Sequence, residues 1–450
     1  MRRLVSCVVL VLILVILFQQ LLLLRDPARF PPHDFVEYYA AGKLNLQGQN
    51  PYNPQLLLPI EIEAGRKLDE AVMMWNPPWT LTLVMPFSLI DANTAKVVWV
   101  LVDLVLLIFC IDQLWKIYAH PKSWRLLPYL FVLTYFPLLT LLISGQIGIW
   151  LLLGITLFLK WEKTERYFWA GAITVLMAIK PHLFYLFWVM VFFWGCRRRY
   201  SLLFGGIIAG LISSIIPILF NSEVWSQYRV ELLQNPPVQW RSLTLGSVIR
   251  EIEVLYFSHQ DYKNHFSEQF IPLLFGSMWF LFYYWRYIPG FTLVQSWLSK
   301  RSSRFSTIPA DIPLSVAPLA APATTDQMQL GRHSHSTSFS WVNEIPKLLL
   351  VSFITSAYGA WLFDMVVLLP AVIHLLSLAV SYSDRLKENG RSNSSLKWLL
   401  GLWIVLNGLG LTLHLMNFSS FHFIWYAPFL TLYYFYGVRV LKSKDGPFSQ

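Results

Sequence analysis

Long apolar blocks constrain this chain more than any other feature of it. Residues 4–24, 97–115, 202–220 and 399–416 run with hardly a charged side chain. Each is close to the roughly 20 residues that an α-helix needs to cross a bilayer. About twelve such blocks can be placed, which would occupy just over half of the chain. Charge is correspondingly scarce: 13% of residues are Asp, Glu, Lys or Arg, against 56% hydrophobic. A soluble domain usually carries about twice that charge, so a soluble enzyme is excluded, as are a secreted disulfide scaffold and a β-barrel. The expectation is an all-α polytopic membrane protein of about 12 transmembrane helices with two long outer loops.

The spans are expected at 4–24, 77–90, 95–115, 126–143, 146–160, 168–194, 202–220, 271–290, 346–363, 364–382, 397–416 and 421–441. Arg2 and Arg3, Arg197 to Arg199, Lys300, Arg301, Arg304, Arg385, Lys387, Arg391, Lys442 and Lys444 then share one side. By the positive-inside rule that side is the cytoplasm, which puts the N-terminus there in a multi-pass plasma-membrane protein. Two basic connections, at 116–125 and 161–167, fall on the wrong side and make spans two to five the weak stretch of this topology. The net charge of +10 belongs with anionic lipid rather than nucleic acid. Cys7, Cys110 and Cys196 form no metal or disulfide spacing. The N-terminal block is too long for a signal-peptide core and is kept as the first span.

Three segments lie outside the spans. The outer loops are 25–76 and 221–270, and 291–345 is a Ser-, Pro- and Ala-rich cytoplasmic linker. The chain therefore divides into an N-terminal catalytic module over 1–290, the linker over 291–345, and C-terminal transmembrane helices over 346–450. His333 and His335 in the linker read as a solvated tail rather than a metal site.

The first outer loop has helical content. Asp34 followed three residues later by Glu37 has the form of a capping box. Phe35, Tyr38, Tyr39, Gly42 and Leu46 then recur with helical spacing, as on a helix lying on the membrane surface. Asp34 has two readings. It is a helix N-cap, or it is a carboxylate in a partly dry interfacial site, able to act as a general base. Glu37 shares the ambiguity.

The motif Asp34-Phe-x-x-Tyr-Tyr-Ala-Ala-Gly42, then Leu46-x-Gly-Gln-Asn-Pro-Tyr52 and Asn76-Pro-Pro78, resembles glycosyltransferase family 87. The resemblance continues through Ser144-Gly145-Gln146-Ile147, Ile179-Lys180-Pro181 and Tyr358-x-x-x-x-Phe-Asp364-x-Val-Val-Leu-Leu-Pro370. It implies a GT-C-like bundle. It also implies a polyprenyl-phosphate donor carrying a hexose such as mannose, as in a mannosyltransferase, and a glycolipid or glycan acceptor, in a cell-envelope reaction without a cofactor. The family's catalytic aspartate at the start of the first outer loop carries over to Asp34.

An inverting transfer needs a base for the acceptor hydroxyl and positive charge for the departing phosphate. Lys180, between Ile179 and Pro181 inside an apolar block, is the leading phosphate ligand, with a snorkelling lysine as the alternative. Arg241 and Arg250 in the second outer loop are further clamps, or ordinary loop arginines. Tyr38, Tyr39, Tyr52 and Trp75 are placed to stack on a sugar or to pack the loop, and Asp364 opens a span as a site residue or a cap. No metal ligand set is apparent: Glu61/Glu63 and Glu251/Glu253 read as solvated faces. The competing readings are a transporter or flippase, which favours two related halves of broken helices, and a polysaccharide polymerase that would depend on outer-loop arginines or histidines.

Overall fold

A computed structural model of the chain describes residues 33–67, 69–118, 124–238, 240–258, 267–285, 339–357, 359–388 and 394–443. The described residues are helical and contain no strand. The first expected span, the linker up to residue 338 and both linker histidines lie outside them. Residues 341–345, counted with the linker from sequence, begin a helix instead.

In chain order the main helices are α1 (Phe35–Leu46), α2 (Pro54–Glu63), α3 (Ala92–Tyr118), α4 (Leu127–Leu133), α5 (Phe136–Ser144), α6 (Gly148–Lys163), α7 (Tyr167–Met177) and α8 (Tyr185–Arg198). They continue as α9 (Tyr200–Ile218), α10 (Val224–Gln234), α11 (Leu245–Ile252), α12 (Ile271–Tyr284), α13 (Trp341–Thr355), α14 (Leu369–Glu388), α15 (Ser394–Leu415) and α16 (Tyr426–Ser443). One compact unit comprises Met1–Met278 and Trp341–Gln450, and it contains every site residue discussed below. Trp279–Ser340 forms a second unit, in which Trp279 packs on Tyr283 at 4.9 Å between ring centroids.

Among the described residues, four helices are long and apolar enough to cross a membrane: Ala92–Tyr118, Tyr200–Ile218, Phe363–Leu386 and Lys397–Leu415. The pair α4 and α5, bent by 61°, makes a fifth if it is one broken span. Bends account for much of the difference from the expected twelve. The block at 77–90 carries Pro78 and Pro86 and folds as short turns, Pro78–Thr80, Leu81–Val84 and Met85–Leu89. The block at 168–194 breaks after Met177, and Pro181 restarts it. The four long helices differ in role. Phe363–Leu386 is buried on nearly all sides, as expected of a helix apolar all round. On α9, by contrast, Phe204, Ile207, Leu211 and Ile215 are exposed, and such a face is covered by lipid.

α7 and α9 pack backbone to backbone. A methyl group on Gly171 would overlap the Leu202 carbonyl, and one on Gly205 would overlap that of Phe168. Small residues at such crossings are how helices approach closely in a membrane, where packing replaces the hydrophobic drive.

α1 departs from expectation. Instead of lying on a surface with one apolar face, it is enclosed, with Phe35, Val36, Tyr38, Tyr39, Ala40, Ala41 and Leu44 all buried. Phe35 and Tyr38 pack on Trp99 of α3, at 5.6 and 5.7 Å. Further along the same face, Gly42 meets the backbone of Met85, while Val36, Ala40 and Leu44 are buried away from it. Helical spacing marks one packed face of α1 but is silent about the element that covers the opposite one.

Candidate active site

The start of α1 is pinned to the end of α5. The Asp34 N–H donates to the Ser144 carbonyl at 3.0 Å. Gly145 then turns the chain in the left-handed region (φ 72°) with its Cα against Phe35, a conformation and a fit that favour glycine. The turn delivers Gln146 to the helix start, where its Nε2 donates to Asp34 Oδ2 at 3.1 Å and Glu37 Oε1 at 3.3 Å. Tyr38 donates its hydroxyl to Gln146 Oε1 at 2.7 Å, which fixes the amide with its NH₂ toward the carboxyls. Asp34 occupies the N-cap position of α1, yet its side chain makes no cap hydrogen bond. The carboxylate is turned toward Gln146 and the cavity instead.

Burial first, and the neighbouring Asp34 second, push the Glu37 carboxyl from its ordinary 4.5 up to about 8. At neutral pH Glu37 is therefore mostly protonated.

The break between α7 and the turn at Pro181–Phe184 presents Lys180. Leaving the helix frees backbone carbonyls, and neighbours satisfy two of them. Trp79 Nε1 donates to Ala178 O and Asn76 Nδ2 to Ile179 O, each at 3.1 Å. The Lys180 ammonium pairs with Asp364 Oδ1 at 2.7 Å and lies 5.1 Å from the Phe363 ring centroid. The other carboxylate oxygen of Asp364 accepts the Trp361 N–H at 3.1 Å. Both charged side chains are buried.

These elements enclose a cavity of about 1010 Å³ lined by Asp34, Glu37, Gln146, Lys180, His182 and, on other walls, Trp75, Trp240 and Trp361. That volume is at the upper end for a small-molecule site and accommodates more than one ring. His182 is held by Gly359 O at 3.3 Å.

Other expected site residues are placed differently. Asp364 stands behind Lys180 as its counter-ion. Arg241 is ion-paired with Glu251 at 2.8 Å and is not part of the cavity lining. Arg250 is fully buried, donating to Gln269 Oε1 at 2.9 Å and Val238 O at 2.6 Å, and so braces the cavity wall at Val238 from behind. Tyr38 serves Gln146, while Tyr39 donates to Ile90 O at 3.0 Å and Tyr52 to Asn76 O at 3.3 Å. None of the three tyrosines lines the cavity. Gln146, Trp240 and Trp361 were not on the list drawn from sequence. Gln146 and Trp361 do sit inside two of the motifs quoted above, Trp361 at an unspecified position. No group of three or more His, Cys, Asp or Glu side chains that could hold a metal occurs among the described residues.

Fold and cavity together define a helical membrane protein whose interior site holds a steered carboxylate and a buried ion pair. The model of glycosyltransferase family 87 matches residues 75–282, a little under half of the chain, and over that stretch the chain is similar to this family. The match takes in Asn76-Pro-Pro78, Gln146 and Lys180, and leaves Asp34 and Asp364 outside it. No curated protein and no solved structure matches the chain.

Proposed function

We propose that the chain is an inverting GT-C-type membrane enzyme that moves a hexose such as mannose from a polyprenyl-phosphate donor to a lipid-linked or glycan acceptor, a reading supported by its match to glycosyltransferase family 87. The transfer takes place at the outer face of the plasma membrane. The observation that carries this reading is the shared cavity, in which a carboxylate released from helix capping and a buried ammonium line one space.

In this reading Asp34 takes the proton of the acceptor hydroxyl as its oxygen attacks the anomeric carbon. The bond from the anomeric carbon to the phosphate oxygen breaks, and the electron pair leaves with the lipid phosphate. Lys180 stabilises the developing charge on that phosphate: one N–H is engaged by Asp364, and an ammonium has three. Gln146 holds the Asp34 carboxylate toward the cavity. A carboxylate fixed by hydrogen bonds needs less reorganisation in the transition state than a free one.

The test is transfer of radiolabelled sugar from a polyprenyl-phosphate donor, using membranes that carry the wild-type chain or Asp34→Asn. The expectation is donor-dependent transfer by the wild type and a fall of at least about 100-fold for the variant. Equal transfer by both overturns the base assignment. No transfer from any of several donors favours the transporter.

A further inference from the structure

The transfer chemistry leaves one wall of the cavity unused. Trp75, Trp240 and Trp361 come from three separate segments and all line it. They meet edge to face: Trp75 and Trp240 are 6.0 Å apart at 89°, and Trp240 and Trp361 are 5.9 Å apart at 70°. Each is only partly buried, so part of its surface remains accessible.

The corner is tied to the rest of the site. The Trp361 N–H is bound by Asp364, the counter-ion of Lys180. Trp75 precedes Asn76, which holds the Ile179 carbonyl beside Lys180, and its own carbonyl accepts the Tyr228 hydroxyl at 3.4 Å. Trp240 lies over Gly359, the residue that also holds His182. The tryptophans are therefore positioned by the same contacts that position the cation.

An interfacial belt does not account for them. Belt tryptophans face lipid at the protein perimeter, whereas these face one another and a cavity. The company they keep is polar: Gln55, Glu231, Gln234 and Asn235 line the same space, with Asn235 Nδ2 donating to Glu231 Oε1 at 3.0 Å. Flat apolar faces beside amide and carboxylate groups match a pyranose ring, whose C–H face is apolar and whose rim carries hydroxyls. An isoprenoid chain has no use for the amides and would be served equally by branched aliphatic side chains.

We propose that Trp75, Trp240 and Trp361 form a carbohydrate subsite that holds a pyranose ring inside the cavity. The proposal rests on the glycosyltransferase reading and adds to it the surface on which sugar is recognised. The ring belongs either to the donor or to the acceptor, and turnover separates the two.

The binding test uses the full-length chain in detergent and saturation-transfer NMR with methyl pyranosides of mannose, glucose and galactose and the matching disaccharides. The wild type is expected to bind at least one of them. Trp240→Leu, which keeps apolar volume and loses the flat face, is expected to weaken that binding about 10-fold, equivalent to about 1.4 kcal/mol. Trp240→Phe keeps a flat face and is expected to stay within about 3-fold of wild type. Absence of binding to the wild type, or wild-type affinity in a folded Trp240→Leu, overturns the proposal; the second result is what an isoprenoid site would give. In transfer assays, a raised KM for acceptor in Trp240→Leu assigns the ring to the acceptor, and a raised KM for donor assigns it to the donor. Both values unchanged also overturns it. Asp34→Asn keeps the two proposals apart, because it should bind pyranoside like the wild type while failing to transfer. If it transfers normally while Trp240→Leu loses pyranoside, the base assignment falls and the subsite stands.

Discussion

Glu37 gives the sharpest physical test of the site, because its burial predicts a dependence of stability on pH that one substitution removes. In the unfolded chain this carboxyl ionises near 4.5, and in the folded protein near 8. Between those values the folded state holds a proton that the unfolded state has already lost. Stability therefore falls as pH rises through that window, and levels off above it. At about 1.4 kcal/mol for each pH unit, the full effect is on the order of 5 kcal/mol, undiminished by solvent because Glu37 is only 7% exposed. Glu37→Gln keeps the shape and an acceptor oxygen for the Gln146 amide, and it removes the ionisation.

The assay is the apparent melting temperature of the detergent-solubilised protein from pH 5 to pH 9, wild type and Glu37→Gln side by side. Near pH 5 the two should differ little. With rising pH the wild type should lose stability relative to the variant, and the gap should be largest near pH 9. Curves that run parallel across the range would refute the reasoning, since they would mean that Glu37 ionises in the folded protein much as it does in water.

Gln146→Leu removes the amide that bonds Tyr38, Asp34 and Glu37 in this buried corner, at a cost of about 1–3 kcal/mol in stability. It also unsteers Asp34, so transfer in a labelled-sugar assay should fall about 10- to 100-fold with donor KM little changed. Asp364→Asn strands the Lys180 ammonium and should cost about 3–5 kcal/mol in a denaturation assay, whereas Lys180→Met/Asp364→Leu should recover most of that loss while weakening donor use. Gly145→Ala places a side chain in the left-handed region and against Phe35 Cβ, so it should lower stability by about 1–3 kcal/mol, read as apparent melting temperature, and should lower transfer as well.

Parts of this site stand out in the sequence because charge is rare in it. Lys180 beside a proline in an apolar block, and Asp34 ahead of an aromatic run, are conspicuous where few residues are charged. Their surroundings are not conspicuous. Lys180 and Asp364 are 184 positions apart, and nothing local to either names the other. Tyr38, Tyr39 and Tyr52 have the spacing and chemistry of sugar platforms, but their hydroxyls are used in holding Gln146, Ile90 and Asn76. The tryptophans that do line the cavity sit in segments with no periodicity to mark them. Span counting fails for a related reason: hydropathy measures the length of an apolar block and does not register where it bends. The blocks at 77–90 and 168–194 are both broken at or near prolines.

The Lys180–Asp364 pair also bears on how such a cavity handles an anionic lipid. An ammonium buried here without a counter-ion would cost several kcal/mol, and Asp364 offsets that cost while the Trp361 N–H occupies its second oxygen. The pair is therefore close to neutral when the cavity is empty. Under the proposed mechanism, the donor's phosphodiester reaching the remaining N–H groups of Lys180 finds Asp364 already there, and the two anions share one cation. Ground-state binding of the donor is then weaker than a lone lysine would give. As the glycosidic bond breaks, charge grows on the phosphate oxygen, and the ammonium can shift its hydrogen bonding toward it and away from Asp364. An interaction that strengthens only as charge develops lowers the barrier without deepening the donor's binding, and it eases release of the lipid phosphate afterwards. By the same argument Asp364 is part of the turnover machinery without touching substrate. Removing it should tighten the hold on lipid phosphate even as the folded state is weakened.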